Sequence, residues 1–338
     1  MRIQGYNNAM NTQLTPFSAL TPDTILSALD SVGLHGDGRL LALNSYENRV
    51  YQIGMDNAET VVAKFYRPHR WSNAAILEEH AFVQELAECE IPVVPPLRFK
   101  ENKTLNQVSG FRFSVFPRQN GRVPEIEGRE KLEWMGRFIA RIHAIGALTP
   151  FKERPALNIV NFGDEPRDYL LRHDFIPADL LIAYGSVIAH ALDSVRHCFE
   201  RAGRVKILRL HGDCYPGNIL WDDDGPHFVD FDDSRMGPAI QDLWMLLSGD
   251  RAEMTVQLNH LLTGYQTFYD FNPRELHLLE ALRTLRLIHY SAWIAKRWDD
   301  PAFPMAFPWF NTPRYWQDRI IELREQIALM EEDPITPS

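Results

Sequence analysis

RLHGDCYPGNILWDDDGPHFVDFDDS, residues 209–234, crowds carboxylates at 213, 222–224, 230, 232 and 233 into a stretch whose apolar residues mark it as folded. Unpaired carboxylates held close repel and push one another toward the protonated form. A folded chain that keeps them together gives them a shared partner. Asn218-Ile-Leu-Trp221 and His227-Phe-Val-Asp230 are short apolar runs on either side of the turn signal Asp222-Asp-Asp-Gly225. With the loop at 222–226, residue 218 faces 230, which places Asn218 and Asp230 roughly 5 Å apart at Cβ. A shift of one residue would set 229 opposite 218, so this pairing depends on register. Asp213 lies just before Pro216-Gly217, which favour a bent loop over a helix. A carboxylate, a carboxamide and a second carboxylate at one end of a hairpin suit Mg2+, which takes hard oxygen ligands together with phosphate oxygens. The acids of the turn itself, Asp222, Asp223 and Asp224, read as solvated.

Outward from this stretch the chain divides by pattern. On the N-terminal side, after a polar arm over 1–20, TPDTILSALDSVG (21–33) reads as a helix capped by Thr21 and stopped by Gly33. Strand-like pieces fill 39–68, with DNAE as a turn, and WSNAAILEEHAFVQELAECE (71–90) is a helix with Ser72 as its cap. Two further strands are expected near PPLRFK and FRFSVFP. This makes a small antiparallel sheet carrying one main helix, over residues 1–117. PRQNGRVPE (117–125) is rich in breakers and marks a hinge. Residues 118–338 are then mostly helical, with helices expected at 130–146 and near 178–201, 238–249, 251–270, 273–298 and 314–331. The fold class is α+β with two lobes.

Composition narrows the function. The chain has 338 residues and a net charge of −10, which argues against a general nucleic-acid or anionic-membrane binder. Cys89, Cys198 and Cys214 are odd in number with no CxxC spacing, so neither a disulfide framework nor a zinc site is indicated. The N-terminus lacks an apolar h-region, and no apolar run reaches the length of a membrane span. A cytoplasmic protein is expected.

His211-Gly-Asp213 with Asn218, followed by an apolar D-x-D at Asp230 and Asp232, resembles the catalytic core of aminoglycoside phosphotransferase and choline kinase-like enzymes, which share the protein-kinase fold. The interval of five from Asp to Asn equals that of the protein-kinase H-R-D-x-x-x-x-N loop. LNSYENRVYQ (43–52), VAKFYRPHRW (62–71), ILEEHAF (76–82) and QDLWMLL (241–247) extend the likeness over nearly the whole chain, toward bacterial serine/threonine stress kinases on this fold.

The resemblance implies ATP as co-substrate and Mg2+ as cofactor. It implies Asp213 as catalytic base, with Asp230 both catalytic and, with Asn218, a metal ligand. Lys64 would contact ATP phosphates and pair with a helix carboxylate, for which Glu79 fits best and Glu78 is the fallback. Ser45 would help to cradle phosphate. Asp232 stays open between structure and metal assistance, whereas His211, His143 and Asp242 read as structural. HYSAWIAKRWDDPAFP (289–304) is a candidate lining for the acceptor site, although packing explains it equally well. Ser45-Tyr-Glu-Asn48 is not G-x-G-x-x-G, DFD replaces DFG and no APE follows, so an activation-loop switch is not implied. The expected activity is transfer of the ATP γ-phosphate to Ser or Thr of a protein substrate, in a monomer. The alternative acceptor is a small alcohol such as an aminoglycoside, choline, homoserine or a thioribose. A non-catalytic nucleotide-binding protein would lack the lysine, the base or a metal ligand, and all are present.

Overall fold

The computed structural model describes residues 16–336, so most of the arm expected over 1–20 lies outside the described residues. Helix α1 (Pro22–Ser31) begins where the Thr21 side chain accepts from Thr24 N, as a polar cap ahead of Pro22 should. Strands β1 (Gly36–Ala42), β2 (Arg49–Met55) and β3 (Thr60–Phe65) form antiparallel neighbours, and the turn over 56–59 closes the second hairpin. Helix α2 (Asn73–Glu88) starts at Ser72, whose side chain accepts from Ala75 N. Strands β4 (Asn106–Val108) and β5 (Phe111–Pro117) complete a five-stranded sheet of order β1-β2-β3-β5-β4.

The strand expected at PPLRFK does not form. Pro95 and Pro96 have no N–H to give a ladder, and Leu97 N donates to Val115 O as an isolated bond. The fourth strand lies further on, at β4.

Alternation along β3 decides where the first chemical group goes. Val61, Ala63 and Phe65 join Ile25 and Leu29 of α1 and Phe113 and Val115 of β5 in one apolar cluster. Lys64 therefore points to the opposite face, over the cleft. A larger cluster holds Phe82, Val83 and Leu86 of α2 together with the helices that follow, so α2 packs toward the C-terminal part.

That part contains α3 (Arg129–Gly146), α4 (Glu165–Arg172), α5 (Leu181–Ala202), α6 (Ile240–Trp244), α7 (Arg251–Tyr265), α8 (Leu279–Ala295), α9 (Ala302–Ala306) and α10 (Pro313–Glu331). The helix expected over 238–249 is regular only in α6, after which the chain turns through i→i+3 bonds as far as Leu247. Gly136 lets α3 approach the backbone of α7, because a Cβ there would collide with Leu261 O.

Into this helical body are set two small sheets: β6 (Leu208–Leu210) with β9 (Arg235–Gly237), and β7 (Ile219–Asp222) with β8 (Gly225–Phe228). The β7–β8 register corrects the expectation. Asp222 pairs with Gly225 and Ile219 with Phe228, so the turn is Asp223-Asp224 and residue 218 faces 229 rather than 230. A two-residue turn is the preferred hairpin connection, and it keeps Asp222 and Gly225 inside the ladder. Asp223 and Asp224 are exposed, as a solvated turn requires.

Candidate active site

The loop after β6 is held from below. Asp242, at the start of α6, accepts from the backbone N–H of both His211 (2.8 Å) and Gly212 (2.8 Å) and from His143 Nε2 (3.1 Å). Tyr265 OH donates to the other His143 nitrogen at 2.8 Å. Burial pushes the Asp242 carboxyl up, but these donors outweigh it and leave it lowered. Gly212 has φ of 85° and packs against Asp233 O, a conformation and a space that only glycine suits. His211 is buried. Its Nε2–H donates to Val229 O (2.9 Å), its Nδ1 accepts from Asp213 N (3.3 Å), and its ring lies 4.3 Å from that of Phe231. It ties the loop to the strand end as the expected structural histidine.

The same anchoring presents Asp213 and Asn218 together. Asn218 Nδ2 donates to Asp213 O (2.9 Å) and to Asp213 Oδ2 (3.2 Å). Val229 N donates to Asn218 O, which brings the next residue, Asp230, alongside. Asp230 adopts the left-handed region (φ 58°, ψ 63°), a strained backbone of the kind found at functional sites. This bend, rather than cross-strand pairing, turns its carboxylate into the cleft.

Lys64 arrives from the sheet above. Its Nζ lies 2.8 Å from Asp230 Oδ1 and 3.3 Å from Asp232 Oδ1. Burial alone would push the ammonium down, but Asp230 and Asp232 hold it well above the usual lysine value. The expected helix partner is different. Glu79 Oε2 accepts from Arg154 Nη2 at 2.9 Å, and Lys64 acts on Glu79 only through its field. Arg154 also donates to Ala75 O, Asp232 O and Ser234 O. Burial raises the Glu79 carboxyl to about 7 against the opposing charges of Lys64 and Arg154. Glu78 faces elsewhere and accepts from the N–H groups of Lys152, Glu153 and Arg154.

Asp232 is buried and engaged by Lys64 and Arg70, and Arg70 also reaches Asp233 Oδ1 at 2.8 Å. Burial would raise the Asp232 carboxyl, but Arg70 and Lys64 prevail and hold it at about 2. These contacts set Asp232 in an ion-pair network between Lys64 and Arg70.

The β1–β2 loop forms the roof. Ser45 Oγ donates to Asn48 O at 3.2 Å, and Asn48 Oδ1 accepts from Arg67 N at 3.0 Å. Arg49 and Arg67 bind the carbonyls of Tyr46, Glu47 and Asn48. The N–H groups of Ser45, Tyr46, Glu47 and Asn48 donate to nothing among the described residues, which leaves a row of backbone donors of the sort that holds anions. The buried Glu47 carboxylate accepts from Trp293 Nε1 (2.6 Å) and pairs with Arg297 Nε (2.7 Å) and Arg67 Nε (3.1 Å). Asp300 pairs with Arg67 Nη2 at 2.6 Å. Segment 289–304 thus fastens the roof to the helices below. The ions Arg154, Arg70 and Glu47 escaped sequence reasoning because their partners lie far along the chain and no local pattern announces them.

Two oxygens suit a divalent cation. Asn218 Oδ1 and Asp230 Oδ2 accept no hydrogen bond among the described residues, and the Asp230 side chain is half exposed. No cluster of three or more His, Cys, Asp or Glu suited to a metal occurs there. One carboxylate and one carboxamide fit Mg2+ shared with phosphate better than a cation caged by protein alone.

The model of the phosphotransferase enzyme family matches residues 39–279. The chain belongs to that family. Stress response kinase A of Escherichia coli (strain K12) is 42% identical over 326 residues, 96% of this chain and 98% of its own. The serine/threonine protein kinase RdoA of Salmonella typhimurium is equally similar over the same shares. Among solved structures, amicoumacin kinase hAmiN in complex with AMP-PNP, Ca2+ and Ami aligns with a TM-score of 0.71 at 18% identity, over 93% of this chain and 95% of that one. A microcompartment-associated aminopropanol kinase aligns with a TM-score of 0.69 at 17% identity, over 91% and 96%. The phosphotransferase fold is therefore that of this chain: an antiparallel sheet above, helices below and the carboxylates in the cleft between. Among the described residues no helix is long and apolar enough to cross a membrane.

Proposed function

We propose that the chain is an ATP- and Mg2+-dependent serine/threonine protein kinase that moves the γ-phosphate of ATP to a protein hydroxyl. The observation that carries this reading is the convergence of Lys64, Asp213, Asn218 and Asp230 from sheet, loop and strand end at one cleft. The choice of a protein acceptor, and of a role in bacterial stress, rests on the full-length likeness to relatives named for those properties.

Each group has a physical task. Asp213 accepts the proton of the attacking hydroxyl, and the Asn218 amide holds its carboxylate in place. Lys64 releases Asp230 to meet the nucleotide phosphates, and the free N–H groups around Ser45 cover them. Glu79 with Arg154 fixes α2 against the segment that carries Asp232, the second carboxylate of Lys64. Bound Mg2+ would neutralise phosphate charge beside Asn218 and Asp230. Residues 1–117 and 118–338 act as two lobes about a hinge at 117–125, in a cytoplasmic monomer.

The test uses γ-labelled ATP with Mg2+, the protein and its Asp213→Ala form, a generic protein acceptor and a pool of small alcohols. Asp213-dependent label on protein Ser or Thr supports the reading. Label confined to a soluble alcohol overturns the protein acceptor in favour of a metabolite.

A further inference from the structure

We propose that Arg286, from α8, is a catalytic residue: it leaves the Asp213 carboxylate and binds the phosphoryl group in flight. The inference rests on the reading of the site as an ATP-dependent transfer centre.

Arg286 Nη1 lies 2.6 Å from Asp213 Oδ1, while the other oxygen of that carboxylate is held by Asn218. The loop that carries the base, His211 to Asn218, has no lysine or arginine of its own. Of the other cations facing the carboxylates of the cleft, Lys64 is assigned to the nucleotide phosphates and the rest are committed to their partners. Lys64 bridges Asp230 and Asp232, Arg70 joins Asp232 to Asp233, Arg235 holds Asp233, Arg154 holds Glu79, and Arg297 holds Glu47. Arg286 has one carboxylate partner, the base, and its side chain is 41% exposed. It is the guanidinium with room to move and with one ion pair to break.

The helix face that carries it spans the distance at issue. Tyr290 and Trp293 follow Arg286 by four and seven residues and so share its face. Their rings lie 5.7 Å apart and stack, and Trp293 Nε1 donates to Glu47 of the roof. Seven residues of helix rise about 10 Å. One end of this face therefore touches the base and the other touches the loop whose free N–H groups would hold the phosphates. A phosphoryl group passing from the loop to an acceptor hydroxyl beside the base travels alongside Arg286.

The acceptor hydroxyl oxygen bonds to the γ-phosphorus, and the bond from that phosphorus to the β–γ bridging oxygen breaks with its electron pair, so ADP departs. The hydroxyl proton goes to Asp213 Oδ1. Arg286 Nη1 sits on that oxygen and stabilises its charged form, so a guanidinium that moves away leaves the oxygen a better acceptor for the proton. The destination of the guanidinium is a non-bridging oxygen of the γ-phosphoryl, where charge builds in the transition state and an arginine is worth the most. A guanidinium offers that group two parallel donors, which an ammonium cannot.

The experiment compares the full-length protein with Arg286→Ala, Arg286→Gln and Arg286→Lys. It measures kcat and KM for γ-labelled ATP, ADP affinity by calorimetry, the thermal midpoint, and rescue by millimolar guanidinium chloride. The expected result is a fall in kcat of about 10³-fold for Ala and Gln. ADP affinity and midpoint stay close to wild type, Lys recovers part of the rate, and guanidinium restores the Ala form without accelerating the wild type. Turnover equal to wild type, or higher because a clasp on the base has been removed, overturns the proposal. So does a loss of rate matched by a loss of ADP affinity or a fall in the midpoint, which is the mark of a structural arginine. A wild-type protein that transfers no label in an Asp213-dependent way overturns the ATP-transfer reading and this inference with it. An active wild type with an active Arg286→Ala overturns this inference alone.

Discussion

Arg154 Nη2 and Glu79 Oε2 meet at 2.9 Å with both side chains almost wholly withdrawn from water, joining α2 to the segment that precedes α4. The guanidinium also lies 4.7 Å from the Trp71 ring and binds three carbonyls, so its donors are satisfied. Arg154→Ala leaves Glu79 buried beside Asp232 without its cation. The expected loss is about 3–5 kcal/mol of stability, measured by urea unfolding. A loss below about 1 kcal/mol would show that the pair is dispensable.

Asp213→Asn keeps the size of the side chain and removes its ability to take a proton. Turnover should fall by about 10²- to 10⁴-fold. The thermal midpoint should hardly move, because Asp213 is only partly buried. Near-normal turnover would show that another group, or water, accepts the proton.

Lys64→Ala removes the cation shared by Asp230 and Asp232. The rate at limiting ATP should drop tenfold or more, about 1.4 kcal/mol at least. Unchanged ATP kinetics in a titration of initial rates would take Lys64 out of the nucleotide site.

Glu275 gives the fold a pH dependence away from the cleft. It is buried, accepts from Ile240 N at 3.0 Å, and burial raises its carboxyl to about 7. An acid whose folded value is raised binds more protons folded than unfolded, so its contribution to stability is full below about 4.5 and is lost as pH rises through about 7. Glu275→Gln should abolish up to about 3 kcal/mol of that slope and be the more stable protein at pH 8. Parallel stability profiles for the two proteins between pH 4.5 and 8 would refute the assignment.

Much of this was legible in the sequence because the local signals were strong. Thr21 and Ser72 cap the helices they announce, and Val83 and Leu86, four and seven residues on, put Glu79 on the inner face of α2. The hairpin shows the limit. Period-2 patterning identifies two strands but leaves their register to the turn, and the loop expected over 222–226 proved to be the two-residue turn Asp223-Asp224. The site survives the error because Asp230 bends in the left-handed region, which a string of residues does not disclose. The ion pairs of the cleft were illegible for another reason. Arg70, Arg154 and Arg286 find partners 162, 75 and 73 residues away, and local patterning holds no information at that range.

The fastening of Glu47 by Trp293, 246 positions later, also sets an order of assembly. A chain emerging from the ribosome can close its five-stranded sheet early, since Phe65, Phe113 and their neighbours form an apolar cluster of their own. The roof over the cleft cannot settle then, because Glu47 and Arg67 wait for Arg297 and Asp300. Distant pairings of this kind form late. Synthesis that halts before α8 would leave a folded sheet with a loose nucleotide loop, so competence to use ATP comes only when the last third of the polypeptide has been made.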